Sequence, residues 1–81
     1  MKRYFFDLRD GDAVAVDEEG IELRSIAAAQ EEAACSLAQM AMERAADEVR
    51  NRAHRMAIEV RDSDGPIMKV LFIFEADRRR Q

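Results

Sequence analysis

Twenty-five consecutive residues, Ile26 to Arg50, contain neither glycine nor proline and are dominated by Ala, Glu, Gln, Met, Leu and Arg. Strands of that length are rare, and these residue types lose little conformational freedom in a helix. The run therefore predicts one long helix. Ser25 stands where an N-cap is needed, since its hydroxyl can accept an otherwise unpartnered N–H of the first turn. Ile26, Ala29, Ala33, Leu37, Met40, Ala41 and Ala45 recur at intervals of three and four and form one apolar stripe. Glu31 and Glu32 lie toward the start and Arg44 and Arg50 toward the end, which suits the helix dipole. A helix with a single stripe must bury it against a second layer.

The flanking segments supply that layer. Residues 2–8 alternate Tyr4, Phe6 and Leu8 with Arg3, Phe5 and Asp7, a strand pattern. Asp10-Gly11-Asp12 is a turn, and residues 13–17, with Val14 and Val16 on one face, complete a hairpin. Asp17-Glu18-Glu19-Gly20 closes the second strand, and Ile21 and Leu23 clamp the entry to the helix. After the helix, Asn51 to Arg55 read as a polar connection and residues 56–61 as a third strand. Asp62-Ser63-Asp64-Gly65-Pro66 is a turn, and residues 67–75 are a fourth strand, with Pro66 at its entry.

The expected architecture is a single α+β domain over residues 1–81 in ββαββ order, a four-stranded sheet with one long helix packed on one face. Residues 77–81 form a frayed basic tail containing Arg78, Arg79 and Arg80. The covered face should collect Tyr4, Phe6, Leu8, Val14, Val16, Met56, Ile58, Val60, Met68, Val70, Phe72 and Phe74. The first and fourth strands are richest in apolar residues, which predicts the order second, first, fourth, third, with the first and fourth parallel across a right-handed crossover. A helix of this length spans about 38 Å and a seven-residue strand about 23 Å, so its last turns should overhang.

Chemistry-bearing residues are sparse. His54 falls in a predicted loop with no second ligand nearby, and Cys35, in mid-helix near Glu31 and Glu32, reads as a small packing residue. Asp62-Ser63-Asp64-Gly65 imitates part of a calcium loop, but Pro66 follows it and no helices flank it. Turn chemistry accounts for Asp10, Asp12, Asp17, Asp62 and Asp64, and carboxylates on loops and polar faces are expected to keep ordinary pKa values. Nucleophile-elbow, phosphate-loop and dinucleotide signatures are absent. The reading is of a protein with no catalytic residues, no cofactor and no metal, and not an enzyme.

With 13 basic and 17 acidic residues the formal charge is −4, which argues against a dedicated nucleic-acid binder. Only Phe5 among the strand aromatics points away from the helix, too few for a base-stacking platform. No apolar run approaches a membrane span and no signal peptide is visible, so a cytoplasmic protein is expected.

Arg3-Tyr4-Phe5-Phe6-Asp7, the Arg9-Asp10-Gly11 turn, Asp17-Glu18-Glu19-Gly20 with Ile21-Glu22-Leu23, the Ala-rich helix, Ala57-Ile58-Glu59-Val60-Arg61-Asp62 and Asp64-Gly65-Pro66 together resemble a family of short bacterial proteins built on a domain of unknown function. The resemblance covers nearly the whole chain. It implies a stand-alone cytoplasmic domain and transfers no catalytic residue. Arg24-Ser25 departs from the Pro-Asp that the family tends to carry, and Ser preserves the cap. The layout also resembles, at fold level, the partial RNase-H-like domain of HicB-type antitoxins, without their Gly-rich second strand or DNA-binding segment.

The fourth strand is apolar on both faces, with Ile67, Leu71 and Ile73 directed outward, and Phe5 lies on the same side of the first strand. If those strands are neighbours, Phe5, Leu71 and Ile73 make one patch with a charged rim. The expected function is a non-enzymatic protein-interaction module forming a homodimer through Phe5, Ile67, Leu71 and Ile73. The alternative is a HicB-like antitoxin or RNA-associated regulator.

Overall fold

A computed structural model describes residues 1–47 and 53–75. The elements run β1 (Lys2–Asp10), β2 (Ala13–Ala15), β3 (Ile21–Leu23), α1 (Ile26–Asp47), β4 (Ala53–Asp62) and β5 (Gly65–Glu75). The fold is α+β, with one helix on one face of an antiparallel sheet, as the sequence predicts.

Ser25 caps α1. Its Oγ accepts the Ala28 N–H at 3.1 Å, and its carbonyl accepts the Ala29 N–H at 3.1 Å. Ser25→Ala should cost about 1 kcal/mol, read as a lower denaturant midpoint at unchanged slope. The buried stripe is Ala29, Ala33, Leu37 and Ala41, every fourth residue. Three of the four are alanine, so the helix lies close on Tyr4, Met56, Ile58 and Val60. Phe6, Leu8, Leu23, Met40, Met68, Val70 and Phe72 complete the core. Ile26, assigned to the stripe, is instead exposed at the helix start. Cys35 is exposed rather than packed, because it stands about 200° around the helix from Ala33 and from Leu37. The expected helix end at Arg50, the side chains of Ala45, His54 and Phe74, and the basic tail lie outside the described residues.

The sheet departs from expectation in count and order. It has five strands, in the order β2-β1-β4-β5, with β3 also paired to β1. Every pairing is antiparallel. The third predicted strand is therefore central and the fourth lies at the edge, so the parallel pair does not form. The physical reason is burial on β4. Met56, Ile58 and Val60 are almost wholly buried under the helix, and Ala57, on the opposite face, is buried too. Such a strand needs neighbours on both sides, and β1 and β5 supply them. Since β3 and β4 are each antiparallel to β1, they point the same way, and α1 is the crossover between them.

Register explains the remaining differences. β4 begins at Ala53, so part of the predicted polar connection is strand and His54 pairs with Phe74. Strands of ten and eleven residues match a 22-residue helix, all close to 35 Å. As far as Arg44, which meets Asp10 at 3.1 Å, the helix stays with the sheet, and the last turns expected to overhang lie outside the described residues. Val14 sits opposite Arg9, which places it on the uncovered face, and Val16 follows the end of β2; both are exposed. In the β4–β5 ladder Val60 pairs with Met68 and Arg61 with Pro66, which makes Ile67 an extra residue. Ile67 packs against the core instead of facing outward.

Candidate functional site

The face opposite α1 is uncovered among the described residues, and its two ends differ. At one end, β1, β4 and the segment between β2 and β3 meet in a polar node. β2 pairs with residues 8–10 of β1 and β3 with residues 2–4, so residues 16–20 must pass residues 5–7 with two residues to spare. No ladder continues there, and Asp17 takes its place. Its Oδ2 accepts the Phe6 N–H at 3.1 Å, and its Oδ1 accepts the N–H groups of Glu19 and Gly20, each at 3.1 Å. The last two bonds are the Asx-turn chemistry expected of an aspartate. The first replaces a missing strand partner.

Asp7 and Arg61 lock this turn in place. The Asp17 N–H donates to Asp7 Oδ1 at 2.9 Å. Arg61 Nε donates to Asp7 Oδ2 at 2.9 Å, and its Nη2 reaches Asp7 Oδ1 at 3.4 Å and the Asp17 carbonyl at 2.8 Å. The same guanidinium lies 4.6 Å from the centroid of the Phe5 ring. Arg3 Nη1 donates to the Glu19 carbonyl at 2.6 Å. Gly20, at φ +73°, fits so tightly that a Cβ there would meet the Arg3 and Phe5 side chains and the Tyr4 carbonyl at 2.9 Å.

The charges of the node are fixed by these contacts. The Arg61 guanidinium holds the Asp7 carboxyl below the usual carboxylate range. Burial pushes Asp17 upward, but the N–H groups of Gly20, Phe6 and Glu19 together outweigh it and leave its pKa lowered. Lys2, 2.8 Å from Asp62, lowers that carboxyl as well. The expectation of ordinary carboxylates is therefore corrected at three positions. Alongside the node, Arg9 Nε donates to Glu59 Oε1 at 2.6 Å, and Lys69 stands 4.0 Å from Glu59 on the other side.

The far end of the face carries two exposed apolar side chains on β5, with Arg55 of β4 opposite Ile73. Leu71 and Ile73, each 54% exposed, share the outer side of β5. The four predicted interface residues are thus divided. Leu71 and Ile73 lie together, Ile67 joins the core, and Phe5 is half-buried under Arg61 and beside Gly20. The contiguous patch of Phe5 with Leu71 and Ile73 does not form, because β4 separates β1 from β5. The node was not anticipated. Its available signal was parity: Phe5, Asp7 and Arg61 all occupy outward strand positions, and Asp17 precedes Gly20 by the interval of an Asx-type turn.

Among the described residues no group of three or more His, Cys, Asp or Glu side chains is placed to hold a metal ion. No described helix is long and apolar enough to cross a membrane. The chain belongs to the family described as a domain of unknown function, DUF6894, whose sequence model matches residues 3–73. No curated protein and no solved structure matches it. Much of the sequence on which the resemblance rests, Phe5 to Asp7, Asp17 to Gly20 and Arg61, converges on the node.

Proposed function

We propose that this member of the DUF6894 family is a non-enzymatic protein-interaction module that acts as a homodimer, with Leu71, Ile73 and the outer edge of β5 as its contact. The observation that carries this reading is the exposure of both side chains, 54% each, on a strand whose second edge is unpaired among the described residues. A long apolar edge strand is a template for pairing with another chain. Twofold association is the commonest closed assembly, and it would enlarge a core that is small at this chain length.

The polar node supports the non-enzymatic part of the reading. Asp7 and Asp17 are charged at neutral pH, and every carboxylate oxygen is engaged by an N–H group or a guanidinium. Groups so committed are poorly suited to acid–base chemistry near pH 7. A HicB-like or RNA-associated role has less behind it. Arg61 lies over the Phe5 ring, and Arg9, Arg61 and Lys2 are each paired with a carboxylate, which offsets the positive charge that a phosphate-binding stripe needs.

Light scattering at micromolar concentration should return about twice the 9.3 kDa chain mass. Ile73→Glu, which puts a charge at the apolar contact, should shift the protein to monomer. A wild-type monomer over the whole accessible concentration range would overturn the reading.

A further inference from the structure

Resting on that homodimer reading, we infer that the second copy adds to β5 in one antiparallel register, centred on Phe72, so that the two sheets become continuous. The argument is one of self-complementarity. In a twofold pairing of sheet edges the covered faces of both copies stay on the same side, so outward residues must oppose outward residues. The outward positions of β5 beyond its bulge are Lys69, Leu71, Ile73 and Glu75, all exposed. Centring on Phe72 sets Lys69 opposite Glu75 and Leu71 opposite Ile73 of the second copy, and the symmetry repeats both pairs.

The neighbouring registers do worse. Centring on Leu71 sets Lys69 against Ile73 and Glu75 against Ile67, the extra residue of the bulge. Centring on Val70 sets Lys69 against Leu71. Centring on Ile73 sets Leu71 against Glu75. Only one register pairs opposite charges and also pairs apolar with apolar, the combinations that stabilise facing strands. The stretch it uses, residues 69–75, is the regular part of β5. Pro66 and the Ile67 bulge, devices that blunt an edge, both lie outside it. Lys69 in mid-strand, which alone would discourage pairing, here has a carboxylate to face.

Charge exchange tests the register. Lys69→Glu sets two carboxylates against each other at both ends of the contact, and Glu75→Lys sets two ammonium groups against each other. Each should raise the dimer dissociation constant about tenfold or more. Mixing the two single variants should restore association close to wild type, because both pairs in the mixed dimer are then opposite in charge. The double variant K69E/E75K should self-associate like wild type. Should Lys69→Glu, close to Glu59, fail to fold, Glu75→Lys against Glu75→Gln still decides the matter: the charge reversal should weaken association more than the neutral change, and equal dissociation constants would overturn the register. Single variants that dimerise unchanged, or a mixture that fails to recover, would overturn the register while a wild-type dimer keeps the homodimer reading. A wild-type monomer would remove both.

Discussion

Gly20→Ala is expected to lower the midpoint of thermal unfolding by roughly ten degrees or more, and Gly11→Ala by clearly less, at equal protein concentration. Both glycines have positive φ, +73° and +62°. An L-residue in that region costs about 1–2 kcal/mol, so both variants carry that strain. The difference is in the surroundings. At Gly11 an added Cβ meets nothing within 4 Å, whereas at Gly20 it meets three atoms at 2.9 Å. One of these is the Tyr4 carbonyl, in a strand that cannot shift alone. Another is the Phe5 ring, which lies under the Arg61 guanidinium. Overpacking of this kind adds about 1–3 kcal/mol. For a domain of this size each kcal/mol moves the midpoint by about 4–8 °C. Equal midpoints for the two variants would show that the Gly20 contact is not a constraint.

The contrast between those glycines shows where sequence reasoning stops. Both belong to acidic Gly-containing turns and read alike. That Gly11 closes a two-residue hairpin follows from local pattern. That Gly20 is pressed against β1 depends on the chain doubling back past residues 5–7, which no local signal states. The Ser25 cap, the helix and the turns were legible for the same local reason. Strand order was not. Apolar richness favoured the first and fourth strands as central, yet in the fourth Leu71 and Ile73 are exposed, and Ala57 of the third is the outward residue that is buried. The small residue is buried because long neighbours, Arg9 and Leu71, flank it in register. The node escaped notice for a related reason. Asp7 and Arg61 lie 54 positions apart, and a charged residue alternating with apolar ones normally marks a solvated face. Only the register that sets Phe5 opposite Arg61 turns them into one structure.

Asp17→Asn should be nearly as damaging as Gly20→Ala although it changes no volume. The carboxylate accepts three N–H groups with two oxygens, Phe6 on one and Glu19 and Gly20 on the other. An amide has one acceptor oxygen. Whichever way it turns, its NH2 group faces an N–H donor, and either the strand bond or both turn bonds are lost. Leaving part-buried donors unpaired costs about 1–3 kcal/mol, a fall of several degrees in midpoint at neutral pH. The acid response should change in the opposite sense. Asp7 and Asp17 have pKa values lowered from an ordinary 3.8. A carboxylate with a lowered folded-state pKa binds its proton less readily folded than unfolded. Its stabilisation is complete above the unfolded value and drains away as the pH falls below about 4 through the folded one. Wild-type stability should therefore hold from neutrality to about pH 4 and then decline. Asp17→Asn starts lower, lacks one of the titrating groups, and should decline less steeply, so the two curves converge in acid. Midpoints recorded from pH 7 to pH 2 would show this, and a gap as wide at pH 2 as at pH 7 would mean that the Asp17 charge contributes nothing to holding the turn on β1.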